Sequence, residues 1–187
     1  MKVLSKRAAV FTSLLLTLVG VSSSTVISTE DNLIYWKESE RLKWSDFIGP
    51  ANTKTSMQAL TFSSVKVSSH SEGNEIIADV VCFFDKNKSW TKDTTHALLL
   101  KHEQLHFDIT ELHARIIRQK ISLIKEKDPK KKLEAISKTV QSVMNDCRAE
   151  QDKYDEQTQH GILEAKQDEW VASVKKRLTQ YAAYKSK

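Results

Sequence analysis

The sequence is poor in the residues that mark several protein classes. It contains only two cysteines, four glycines and two prolines among its 187 residues. Two cysteines exclude a small domain held together by several disulfides, and so little glycine and proline excludes collagen-like and low-complexity chains. With 40% hydrophobic and 28% charged residues, the composition is typical of one globular domain with a buried core.

Long apolar runs are also scarce, and the one that stands out lies at the N-terminus. Residues 8–21 carry no charge and follow the basic residues Lys2, Lys6 and Arg7. Small residues come next, and the run is shorter than the roughly 20 residues that span a bilayer. The pattern is typical of a secretory signal peptide. We therefore expect residues 1–24 to be a signal peptide and residues 25–187 to be a single exported domain, periplasmic or secreted, with no stable membrane insertion after cleavage.

The basic charge does not indicate a nucleic-acid partner. The formal net charge is +5, but three of the basic residues belong to the predicted signal peptide, which has no acids. Without them the chain keeps 26 basic and 24 acidic residues, a net charge of +2. A lysine-rich run at 125–132 contains none of the aromatic residues that single-stranded nucleic acids stack on. We expect a solvated turn there and no nucleic-acid binding.

The hydrophobic periodicity predicts an α+β fold. Residues 58–70 and 75–85 read as an antiparallel hairpin, because β-branched residues surround the turn residues between them. Apolar residues then recur at helical spacing from 94 to about 125, which predicts an amphipathic helix capped by Asp93 or Thr94. Two further helices follow, and between them, at 152–161, the apolar period lapses and predicts a break.

A His-Glu-x-x-His motif lies inside the first predicted helix. His102 and His106 are four residues apart, so both imidazoles lie on one face and can bind one ion. Glu103 lies beside His102 and can act as general base on a water at that ion. The motif therefore predicts a zinc site with one Zn²⁺ ion, His102 and His106 as ligands and Glu103 as the catalytic residue.

A catalytic zinc usually has a third protein ligand. His113 lies on the same face but about 10.5 Å further along the helix than His106, which is too far to share the ion. His160 lies in the predicted break at 152–161 and is the favoured third ligand. An acid from the same segment, such as Asp155, is the alternative.

The two cysteines and the early aromatic residues have structural interpretations. Export would permit a disulfide between Cys82 and Cys147, and two buried free thiols are the alternative. Trp36, Trp44 and Phe47 precede the predicted hairpin, and we expect them to pack against the core rather than to contact a substrate.

The chain resembles the bacterial predicted secreted zinc-dependent proteases known as DUF922. Four segments in the family's order carry the resemblance: LKWSDFIG at 42–49, VCFFDKNKSW at 81–90, LLLKHEQLHFDITELHARIIR at 98–118 and YDEQTQHGILEAKQDEW at 154–170. The resemblance implies a zinc-peptidase-like, or zincin-like, domain. It also implies that His102 and His106 bind the metal with Glu103 as base, and it supports His160 as third ligand.

These observations lead to two functional hypotheses. The first is an exported zinc metallopeptidase that hydrolyses peptide or protein substrates through a zinc-activated water, with Glu103 as general base. Tyr154 and His113 are the visible candidates for stabilising the oxyanion. The second is an exported zinc-binding structural or protein-interaction module without turnover. The sequence assigns neither an oligomeric state nor a particular substrate.

Overall fold

The structure is a computed structural model that describes residues 29–73 and 75–186; the predicted signal peptide at 1–24 lies outside them. The described residues form an α+β fold, as the periodicity predicts. Its strands are β1 (Leu33–Tyr35), β2 (Ala59–Leu60), β3 (Ser63–Glu72), β4 (Glu75–Asp85) and β5 (Trp90–Thr91), and its helices are α1 (Ala97–Ser122), α2 (Pro129–Thr158) and α3 (Glu164–Gln180). Short 3₁₀ turns lie at Thr29–Asn32, Trp44–Asp46 and Ala182–Tyr184.

The strands form two small antiparallel sheets. One has the order β1-β4-β3 and the other pairs β2 with β5. The predicted hairpin is confirmed as β3 and β4, joined at Gly73, whose φ of +59° suits glycine. The sequence pattern predicted one strand over 58–70, whereas the structure divides this stretch into β2 and β3, which belong to different sheets. β4 lies at the centre of its sheet and packs against α1, which explains why it is apolar on both faces.

Helix α1 runs through the centre of the fold. It packs against both sheets, α2 and α3, so that 14 of its 26 residues are buried. It begins three residues later than predicted, and its N-cap is His96, whose Nδ1 accepts from the backbone N–H of Leu99. The expected cap, Asp93, instead accepts from the backbone N–H and the hydroxyl of Thr95. The Asp93 carboxylate is therefore bonded within the turn before α1 and does not cap the helix.

The aromatic segment before the hairpin docks onto α1. Trp36 Nε1 donates to Asp108 Oδ1 at 2.8 Å, and Arg41 lies 2.9 Å from the other carboxylate oxygen. The backbone N–H of Leu42 donates to Gln104 Oε1 at 2.7 Å. An unpaired polar group buried at this position would cost about 1–3 kcal/mol, so these bonds fix the segment on the helix. Phe47 is buried, and Trp36 and Trp44 are partly buried against the core, which confirms the packing prediction.

Helix α2 extends through most of the predicted break. It begins at Pro129 with Asp128 as N-cap, and it ends at Thr158. The prediction of a break over 152–161 is therefore wrong for residues 152–158. The apolar period lapses there because this part of the helix turns polar side chains toward α1. The irregular backbone is confined to the following residues, where φ is +50° at Gln159, +55° at His160 and +85° at Gly161.

Two further expectations concern the core and the membrane. Cys82 and Cys147 are both buried and free, as in the free-thiol alternative. Burial raises the pKa of the Cys147 thiol to about 12, so it stays protonated at neutral pH. Within residues 29–73 and 75–186, no helix has both the length and the apolar character needed to cross a bilayer.

Candidate metal centre

Helices α1 and α2 bring three metal-ligating atoms together. His102 and His106 lie one turn apart on α1, and Asp155 faces them from α2. Asp155 Oδ1 lies 3.0 Å from Nε2 of each histidine. The two Nε2 atoms are 3.1 Å apart. Two imidazole nitrogens and one carboxylate oxygen therefore converge on a single point.

This triad has the chemistry and spacing of a metal site. Among the described residues, it is the group of His, Cys, Asp or Glu side chains whose ligand atoms all lie within 4.8 Å of one another. Bonds of about 2.0–2.1 Å in a tetrahedral zinc site place the ligand atoms about 3.3–3.4 Å apart. The observed separations differ from this by a few tenths of an ångström. The three side chains could thus hold a metal ion with little movement.

The pKa values of the three side chains give their protonation states in the metal-free protein. Burial lowers the pKa of His106, but the charge and hydrogen bond of Asp155 outweigh burial and raise it to about 9. Burial raises the pKa of Asp155, but the two histidines outweigh this and hold it well below its usual range. The pKa of His102 is lowered, mainly by burial. At neutral pH the metal-free site therefore contains a protonated His106 paired with an ionised Asp155.

Zinc binding should consequently depend on pH. A metal must displace the proton from His106, whereas His102 and Asp155 are already deprotonated near pH 7. We expect the apparent Kd to fall about tenfold per pH unit as the pH rises from 6 to 8, because His106 titrates near pH 9. Zinc titration against a competing chelator at pH 6, 7 and 8 measures this slope. A Kd that does not change over this range would show that His106 is already neutral.

Gln151 orients His106. Its Oε1 accepts from His106 Nδ1, while its Nε2 donates to the backbone carbonyl of His106 at 2.9 Å and to Thr110 Oγ1 at 3.2 Å. The two bonds of the amide nitrogen fix which end of Gln151 faces the ring. The Nδ1 atom of His106 therefore keeps a proton in both protonation states of the ring. When the ring is neutral, Nε2 is the unprotonated atom directed at the triad, the arrangement that metal-ligating histidines need.

His102 is oriented by packing, and no side chain among the described residues bonds to its Nδ1 as Gln151 bonds to that of His106. Its ring stacks on Tyr154, with centroids 4.5 Å apart and planes inclined by 22°. Within the described part of the chain, its Nδ1 is buried without a hydrogen-bond partner. Gly161 packs closely against the side chain of His102, and a Cβ added at Gly161 would lie 2.9 Å from Cβ of His102. Glycine is required at 161 both for this contact and for its φ of +85°.

The triad opens into a cavity of about 480 Å³. Glu103 lines this cavity together with His102, His106 and Asp155. It is 4% exposed, and Thr61 Oγ1 donates to its backbone carbonyl at 3.1 Å. The residue predicted as general base is therefore buried beside the triad, at a cavity that solvent or a ligand can enter.

The comparison with known families finds a match, which covers part of the chain. Residues 84–161 match the family model DUF922, described as a bacterial protein of unknown function. This part of the chain is therefore similar to DUF922. The matched segment runs from the end of β4 to the turn after α2, and it includes the triad, Glu103 and Gly161. No curated protein and no solved structure matches the chain.

The structure distinguishes between the two candidate third ligands that the sequence offers, Asp155 and His160. Asp155, the acidic alternative, is the residue that joins His102 and His106. His160 follows the end of α2, has a side chain 68% exposed and places Nδ1 3.6 Å from Asp155 Oδ1. It lines the cavity beside the triad rather than converging with it, so its role as ligand stays a prediction.

Neither candidate for oxyanion stabilisation is among the residues that line the cavity. The hydroxyl of Tyr154 is buried and lies 3.4 Å from both the carbonyl of His102 and Gln167 Oε1. His113 is buried within α1, where Nδ1 lies 3.0 Å from the carbonyl of Ile109 and Nε2 faces Glu150. In this conformation both side chains have structural partners, and either would have to move to meet a substrate.

Proposed function

We propose that this protein is an exported zinc-dependent metallopeptidase with a zincin-like active-site helix. The observation that carries the proposal is the position of Glu103 in one cavity with His102, His106 and Asp155. We infer that these three residues hold one zinc ion. The donor set suits it, because zinc binds imidazole nitrogen and carboxylate oxygen and a catalytic site keeps a fourth position open.

The chain's own groups have distinct roles in this proposal. A bound zinc would supply the Lewis acid that acidifies a water and polarises a carbonyl. Glu103 would accept the proton of the attacking water and pass it to the leaving amine, as a carboxylate beside the reacting centre can. Gln151 would keep His106 in the tautomer that leaves Nε2 unprotonated.

Strand β2 offers a place for an extended substrate. Residues 56–61 line the cavity consecutively. One edge of β2 pairs with β5, and within the described residues the other edge pairs with no strand. A peptide that adds to an unpaired edge gains main-chain hydrogen bonds whatever its sequence. This arrangement would bring a peptide bond alongside the face of α1 that carries Glu103.

Zinc dependence of cleavage tests the proposal. We expect one zinc per chain and cleavage of an unfolded protein such as reduced casein. Cleavage should cease with 1,10-phenanthroline and return when zinc is added, whereas 1,7-phenanthroline, which does not chelate, should have no effect. A protein that binds zinc and melts at a higher temperature with it, but cleaves no unfolded substrate, would instead be the structural or interaction module.

A further inference from the structure

Most of the surface that lines the cavity belongs to apolar atoms. Apolar side chains come from the β2 region, both helices and the turn after α2: Met57, Ala59, Leu60, Leu98, Leu99, Met144 and Ile162. A volume of about 480 Å³ lies within the range of small-ligand pockets. The space next to the candidate metal centre can therefore hold a large apolar group.

Apolar residues of the cavity lie on the same helix faces as the residues of the candidate site. Leu99 precedes His102 by three residues and Glu103 by four, so all three lie on one face of α1. On α2, Met144 precedes Gln151 by seven residues, which places both on the face turned toward α1. A side chain that fills the cavity would lie against the bond that Glu103 could act on.

Two features of the cavity lining restrict the chemical type of ligand that it can bind. Ile162 is 73% exposed beside the cavity, so an apolar ligand in the cavity could bury part of its side chain. Apart from the histidines and Cys147, the ionisable lining residues are mostly acidic: the carboxylates of Asp93, Glu103, Asp152 and Asp155 outnumber the single guanidinium of Arg148. This excess of negative charge disfavours an acidic side chain, and the apolar walls disfavour a lysine.

We propose that the cavity is a specificity pocket for a bulky apolar side chain, of the size of leucine, methionine or phenylalanine, next to the bond that is cleaved. The proposal rests on the proposed function for its identification of the ligand as a peptide. The pocket itself rests on the lining of the cavity, so binding and cleavage can be tested separately.

The binding test uses the full-length Glu103→Gln protein loaded with zinc, so that no peptide is consumed. The probes are glycine- and serine-rich peptides with leucine, phenylalanine, aspartate or lysine at the centre. Methionine methyl signals report the contact, because the chain has three methionines and two of them, Met57 and Met144, line the cavity. Substituting each of these two by leucine assigns the signals.

We expect the leucine and phenylalanine peptides to bind about tenfold more tightly than the aspartate and lysine peptides and to shift both methyl signals. Leu99→Ala should remove most of that preference. Leu123→Ala, at an exposed leucine beyond the end of α1, should leave it intact. Equal binding of all four peptides, tightest binding of the lysine peptide, or no binding up to millimolar concentration would each overturn the pocket.

The wild-type protein then separates the two proposals. Preferred binding of apolar peptides together with absent cleavage would retain the pocket and refute the peptidase. Cleavage that ignores the apolar residue would retain the peptidase and refute the pocket. Cleavage that follows the binding preference supports both.

Discussion

Replacing Asp155 by asparagine should weaken zinc binding by at least about 100-fold. Loss of a residue that merely orients a metal ligand costs 10–100-fold in affinity, and Asp155 supplies one of the three converging atoms and the only negative charge among them. The amide keeps the shape of the side chain, so the helix packing should survive. Zinc titration against a competing chelator measures the loss, and circular dichroism checks the fold.

Two other variants make this result specific. Asp146→Asn makes the same chemical change at an exposed position of α2 and should leave the Kd unchanged. His160→Ala tests the ligand that the sequence favoured, and we expect a change below about threefold because its ring lies outside the converging triad. If His160→Ala loses more affinity than Asp155→Asn, the third ligand is His160 and α2 must rearrange on binding.

The same variant has a readout in the metal-free protein. Asp155 raises the pKa of His106 to about 9 through its charge and its hydrogen bond. In Asp155→Asn the burial of His106 is no longer opposed by that carboxylate, so its pKa should fall. NMR titration of the ring protons follows this directly. An unchanged pKa would contradict the pairing of the two side chains.

The pairing of the first two candidate ligands could be predicted from the sequence because it is local. A spacing of four residues places His102 and His106 on one face of any α-helix, whatever surrounds it. The hairpin and the three helices were predictable for the same reason, since their hydrophobic periods lie within single elements. These predictions needed no knowledge of which elements touch.

Asp155 and Gln151 could not be selected in this way because their roles depend on how α2 packs against α1. The polar residues at 152–158 looked like a break, although they are helical residues facing a polar site. A signal was nevertheless present: Gln151 and Asp155 are four residues apart and share a helical face. The lapse of the apolar period was itself a sign of the candidate site, because a helix that faces a polar site carries polar residues where a core helix carries apolar ones.

The partners of α1 are non-local as well. Gln104 and Asp108 accept from Leu42, Trp36 and Arg41, which lie between 62 and 72 residues away in the chain. Their residue types give no indication of these partners. In the folded protein they fix the face of α1 opposite to the cavity, so the helix that carries both histidines is held on two sides. This rigidity suits a site in which three atoms must stay within about 0.5 Å of their working positions.

Replacing Glu103 by glutamine should abolish cleavage while leaving zinc bound. A positioned general base contributes about 10²–10⁴-fold to the rate, so we expect kcat to fall at least 100-fold. Glu103 is not one of the converging ligands, and its carboxylate raises the pKa of both histidines. Its removal therefore weakens the competition of protons for His106, which offsets the lost attraction for the cation, and the zinc Kd should change little.

Two further variants separate a catalytic from a structural role. Glu156→Gln makes the same change at an exposed position of α2, outside the cavity lining, and should keep full activity. Glu103→Asp retains a carboxylate but withdraws it by one methylene, so it should recover part of the rate and keep a base-dependent pH profile, which a merely structural residue would not produce. If Glu103→Gln cleaves as fast as the wild-type protein with the same zinc content, the proton must go to another group, and Glu103 is then a packing residue beside a metal site.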